Sequence, residues 1–159
     1  MSVVDKLRNE DYSVLKYIES TVSTLSTSIR VVDSFPYNEL QKETLQVPVV
    51  AVEHTQTAEE AIELGSSGYR RNWTIDILAG SDVERDAIGH SIFQALDNSI
   101  PIKDFSGGVS GSNQPIIEYA IVEDRTMEPL HTFDEYSRLK FWRMVVRFST
   151  VTTQANTAS

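Results

Sequence analysis

Residues 70–96, RRNWTIDILAGSDVERDAIGHSIFQAL, change period halfway, and that change decides the fold. In the first half Arg71, Trp73, Ile75, Ile77 and Ala79 point one way, while Asn72, Thr74 and Asp76 point the other. A period of two predicts a strand over 70–79. The pattern breaks at Gly80. Ser81-Asp82-Val83-Glu84 is a capping box, in which a hydroxyl and a carboxylate satisfy the orphan N–H groups of a helix start. Ile88, Ile92 and Leu96 then recur at four-residue steps with Ala87 and Ala95 beside them, so 81–96 reads as a helix.

Working toward the N-terminus, the loop Gly65–Gly68 closes a hairpin between a strand at 60–64 and the strand at 70–79. Val47–Glu53 (VPVVAVE) reads as a further strand, with Pro48 moving its start toward an edge. Ile29–Asp33 is a short β-branched strand closed by a turn at 34–38. Residues 3–25 form a helix on Leu7, Val14, Leu15, Ile18, Val22 and Leu25, capped by Ser2 with Asp5, and with a restart allowed at Asn9–Asp11.

Toward the C-terminus, Ile100–Phe105 reads as a short edge strand and 106–114 (SGGVSGSNQ) as a flexible loop. Pro115–Glu123 is a strand, 124–135 a polar loop around Pro129, and Arg138–Thr150 a long last strand. In that strand Trp142, Met144, Val146 and Phe148 share one face, and Leu139, Phe141, Arg143, Val145 and Arg147 the other. Residues 151–159 read as a polar tail. The order helix, strands, helix, strands lacks βαβα alternation. It predicts an α+β domain over 1–150: a mostly antiparallel sheet with two α-helices packed on one face.

The chain's 159 residues are the length of one domain. Its 23 acids against 14 bases, a net charge of −9, argue against gripping nucleic acid or an anionic membrane. With no cysteine, disulfides, thiolate catalysis and Cys-ligated zinc are excluded. No apolar run approaches a membrane span, and the first residues do not read as a signal peptide.

No catalytic, cofactor-binding or metal residue is expected. His54, His90 and His131 stand in no metal-binding spacing. Glu59-Glu60 reads as a solvated face, and Asp82, Glu84 and Asp86 sit where a helix dipole favours negative charge. Neither glycine-rich stretch precedes a helix, so neither cradles phosphate. Trp73, Tyr119 and Trp142 read as packing aromatics rather than a pocket lining.

Charge placement is the informative feature. Glu39, Glu43, Glu53, Glu59, Glu60 and Glu63 face only Lys42 in the middle of the chain, whereas Arg138, Lys140, Arg143 and Arg147, joined by Arg70 and Arg71, make a basic set. Two readings stand. These charges solubilise sheet edges or pair within one molecule. Alternatively, the acidic flank of one subunit meets the basic flank of the next, and repetition closes a ring.

The phrases VPVVAVEH, ELGSSGYRRNWTIDILAGSDVERDAIGHSIFQAL and IPIKDF, then IxxAIVED and the basic strand RLKFWRMVVRF, resemble the tail terminator (tail-completion) proteins of long-tailed bacteriophages, over about residues 10–150. The resemblance implies a virion protein, assembled in the host cytoplasm, that forms a homo-hexameric ring. Such a ring caps the tail tube protein, stops its polymerisation and meets a head–tail connector or stopper, while double-stranded DNA passes through the lumen without specific contact. It implies no enzyme activity and no cofactor. The bases above then serve as the intersubunit interface, and the glutamates as the lumen or an acidic interface. The alternatives are another neck component (stopper or adaptor) or a non-viral α+β ligand-binding module.

Overall fold

The computed structural model describes residues 2–63, 66–97, 99–107, 114–130 and 141–153. Six strands form one sheet in the order β1-β2-β3-β6-β5-β4, and every pairing but β1–β2 is antiparallel. In chain order the elements are α1 (Val3–Ser23), β1 (Arg30–Val32), α2 (Tyr37–Gln41), β2 (Val49–Glu63), β3 (Ser66–Ala79), α3 (Asp82–Ala95), β4 (Ser99–Lys103), β5 (Ile116–Leu130) and β6 (Trp142–Thr153). The α+β class is the one the sequence predicts.

The core lies between one sheet face and the helices α1 and α3. Register explains it: Ile75 stands opposite Val52 and Val146, and Ile77 opposite Val50 and Met144. These side chains are buried with Val14, Ile18 and Val22 of α1 and Ile88 and Ile92 of α3. Burying each such aliphatic side chain contributes roughly 1.5–3 kcal/mol. Ser81 caps α3 as expected by accepting from the Glu84 N–H at 3.1 Å, while the Glu84 carboxylate reaches back to the Gly80 N–H at 2.9 Å.

Several expectations are corrected. The helices number three among the described residues, because the turn predicted at 34–38 runs into the short α2. The strands predicted at 47–53 and 60–64 are one strand, β2, whose extra residue at Thr55 is absorbed by a bulge between His54 and Gln56. Gly68 lies within β3, opposite Glu60 and Thr153, rather than in the hairpin loop, and residues 64–65 lie outside the described residues.

The polar loop predicted at 124–135 is strand as far as Leu130. One extra residue between Glu123 and Thr126 forms a bulge, with Asp124 at φ 53°, and pairing with β6 then resumes. The bulge turns Arg125 toward α3. Its guanidinium lies 4.3 Å over the Phe93 ring, donates to the Phe93 carbonyl at 2.5 Å and meets Asp97 at 3.2 Å, placing a cation at the helix C-terminus. The tail predicted from 151 begins later, since β6 runs to Thr153; 154–159, and 108–113 of the predicted loop, lie outside the described residues.

α1 is one helix with no break at Asn9–Asp11. Leu25 of its predicted stripe is exposed. The Tyr17 hydroxyl donates to the Ala95 carbonyl and joins α1 to the end of α3.

Candidate interaction surfaces

The first half of α1 is held by polar groups. Asn9, Glu10 and Ser13 are buried. Ser13 Oγ accepts from the Lys103 N–H at 2.9 Å and Asn9 Oδ1 from the Phe105 N–H at 2.8 Å, so α1 satisfies backbone donors at the free edge of β4. Arg71 lies on the same face of β3 as Trp73 and reaches four groups. Its Nε donates to Thr57 at 3.2 Å, and its terminal nitrogens meet the Leu7 carbonyl at 3.1 Å, Asp11 at 2.5 Å and Glu10 at 3.5 Å. The guanidinium also stands 4.9 Å from the Trp73 ring.

Glu10 closes the cluster. The Trp73 Nε1–H donates to Thr150 Oγ1 at 2.9 Å, and the Thr150 hydroxyl donates to Glu10 Oε1 at 2.5 Å. Burial pushes Glu10 above the usual carboxylate value, and the Thr150 hydrogen bond and Arg71 charge pull it back. The His54 ring lies tilted against Trp73, with ring centroids 5.5 Å apart and planes at 58°, and shares Thr57 at 2.7 Å. Burial first, then the Arg71 charge, holds its pKa below the ordinary histidine value.

Arg71 is therefore no intersubunit cation, because its charge is engaged inside the subunit. The other described bases of the predicted set also have internal partners. Arg70 bonds Glu123 at 2.8 Å and meets Asp124 at 3.6 Å. Arg143 bonds the buried Asp76 through Nε at 2.8 Å and lies 4.9 Å from the Phe35 ring, in the segment leading to α2. Arg147 meets Glu128 at 3.5 Å, with 53% and 61% of the two side chains exposed. Arg138 and Lys140 lie outside the described residues, as does His131.

The acidic set is not gathered on one wall. Glu39 makes a two-pronged pair with Arg30, at 2.8 and 2.5 Å, which holds its carboxyl below the usual range. Register puts Glu53, opposite Thr74, on the face away from α1 and α3, and Glu59, opposite Tyr69, on the helix side. Glu43 follows α2 with φ 55°. Among the described residues Glu43, Glu53 and Glu59 have no ion-pair partner. Glu60 and Glu63 lie in β2, with Glu60 opposite Gly68 and Glu63 opposite Ser66.

The apolar surface is concentrated on the strand predicted at 115–123, and Tyr119, expected there as a packing aromatic, is exposed. Ile116, Ile117, Tyr119 and Ile121 of β5 are 49%, 41%, 58% and 54% exposed, half of all the large exposed hydrophobics among the described residues. Ile116, Tyr119 and Ile121 stand opposite Lys103, Pro101 and Ser99, on the sheet face away from α1 and α3, and Ile117 is the bulged residue. The signal was present in the sequence. IIEYAIV (116–122) is apolar on both faces, whereas a sheet covered on one side needs apolar residues on only one.

Among the described residues no cluster of His, Asp and Glu is placed to hold a metal, and no helix is long and apolar enough to cross a membrane. No family model and no characterised protein sequence matches this chain.

Proposed function

We propose that the chain is a tail terminator of a long-tailed bacteriophage: a structural virion subunit that forms a ring on the tail tube, stops its growth and meets the head connector. The observation that carries this reading is the concentration of unburied apolar side chains on one sheet face, at Ile116–Ile121. Clustered exposed apolar residues mark surfaces that proteins cover. The ordered polar network beneath, from Arg71 to Thr150, suits a subunit that must present such a surface rigidly. The α+β order and the phrases that carry the resemblance support this particular family.

The ring closes head to tail. Of the described bases in the predicted set, Arg147 is the most exposed, and exposed Glu59 and Glu43 are the acids a neighbour offers it. The net charge of −9, repeated around a ring, repels phosphate, so duplex DNA traverses the lumen without sticking. The test is functional. Purified protein added to polymerising tail-tube subunits of the cognate phage should halt tubes at their current length. Tubes that grow unchanged in a molar excess of the protein would remove the assignment.

A further inference from the structure

We propose that the β5 stripe is a two-fold self-association face, in which the outer sheet faces of two copies pack together with Tyr119 near the axis. Three observations carry it. The first is that the sheet edge beside the stripe is closed to strand addition. β4 carries Pro101, which has no N–H to donate, and the N–H groups of Lys103 and of Phe105, just beyond the strand, are taken by Ser13 and Asn9 of α1. Association on this side of the sheet therefore uses a face.

The second observation is the apolar content of that face. Ile116, Tyr119 and Ile121 project from alternate positions beside Pro101, and the next strand adds Val151 opposite Ile121. Two such faces packed in register bury apolar rows about 10 Å apart, as in a sheet sandwich.

The third is the order of charge along the stripe. Lys103 lies opposite Ile116 at one end. Glu123 and Asp124 lie beyond Ile121 at the other, where Arg70 pairs with both, at 2.8 and 3.6 Å, and leaves one negative charge in excess. A two-fold axis through Tyr119 reverses the strand of the second copy. It sets Lys103 of each against the acidic end of the other, and Ile116 against Ile121. In that orientation the two ends of the stripe are complementary, which is the requirement of an isologous contact.

The absence of native cysteine makes the test direct. In the Y119C chain, mild oxidation should link two copies through position 119, whereas the K16C chain, altered on α1 on the opposite face, should stay unlinked. By sedimentation the unmodified protein should form dimers, or multiples of two, at roughly 100 µM, a concentration suited to a contact of modest area. Tyr119→Glu should weaken association at least tenfold with an unchanged circular dichroism spectrum. Lys103→Glu and Glu123→Lys should each weaken it, and the double variant should recover it.

Self-association that leaves Y119C unlinked would overturn the two-fold, and so would a strict monomer at that concentration. A monomer that dimerises only after residues 154–159 are removed would assign the stripe to the chain's own tail and also overturn it. The inference does not rest on the ring reading: particle mass reports a ring, and the cross-link reports the symmetry of this face.

Discussion

Arg71 and Glu10, 61 positions apart in sequence, stand 3.5 Å apart with 2% of each side chain exposed. Their pairing fixes the first turns of α1 on the sheet where no apolar stripe does so. A buried ion pair is a weak source of net stability but a strong source of geometric definition, because a single broken member leaves a charge without solvent.

Removing only one partner should therefore be costly. Arg71→Ala is expected to destabilise the fold by about 3–5 kcal/mol in urea unfolding. Replacing both, with Arg71→Met and Glu10→Met, should cost far less than the single change. Equal losses for the single and double variants would show that Arg71 acts through Thr57 and Asp11 instead.

Stability should depend on pH through Glu10. Its folded-state pKa is raised, chiefly by burial. Folding thus favours the protonated form, and the contribution of Glu10 is complete in acid and is lost as pH rises through the folded-state value. The stability of wild type relative to Glu10→Gln should fall from acid to neutral pH. A rise over that range would mean that Arg71 outweighs burial.

Thr150 links Trp73 to Glu10, accepting from one and donating to the other. Thr150→Val keeps the shape but removes both bonds, leaving two buried polar groups short of a partner. The expected cost is about 1–3 kcal/mol for each group. A shift in tryptophan fluorescence from the Trp73 environment should accompany it, and Thr150→Ser should restore most of the loss.

Gly89 lets α3 approach β6. A Cβ there would lie 2.1 Å from Met144 Sδ and 3.5 Å from Met127 Sδ. Gly89→Ala improves helix propensity by about 1 kcal/mol, yet overpacking of about 1–3 kcal/mol should outweigh that gain. Thermal melts should show a lower midpoint for Gly89→Ala. The effect should shrink in a Met144→Ala background, since the two positions touch and must couple.

The basic strand can be tested at one position without disturbing the fold. Arg143 secures the buried Asp76, so its reversal would destabilise the subunit and confound any assembly result. Arg147 and Glu128 form an exposed pair, worth about 0–1 kcal/mol. Arg147→Glu should unfold within roughly 0.5 kcal/mol of wild type and fail to form rings. Intact rings from this variant would remove Arg147 from the interface.

The strand and helix of 70–96 were legible because apolar period and capping chemistry agree there. The edge position of β4 was legible too. β5 beyond Glu123 was not, because acids and Pro129 suggest a loop locally, while pairing with β6 is a long-range effect that local pattern does not carry. The docking of α1 was hidden for a different reason. Apolar periodicity finds Val14, Ile18 and Val22, but Asn9, Glu10 and Ser13 are buried through hydrogen bonds that leave no hydrophobic trace. The burial of Arg71 was readable in part: its parity with Trp73, Ile75 and Ile77 placed it on the core face, and its charge was read ahead of its position. The charges of Arg70 and Arg143 were read correctly as basic, but their internal partners Glu123 and Asp76 lie 53 and 67 residues away.

Electron micrographs of the purified protein test the central claim most directly. The account predicts rings, single or stacked in pairs, with a central hole wide enough for duplex DNA. Particles that never exceed a dimer, up to the highest soluble concentration, would contradict it.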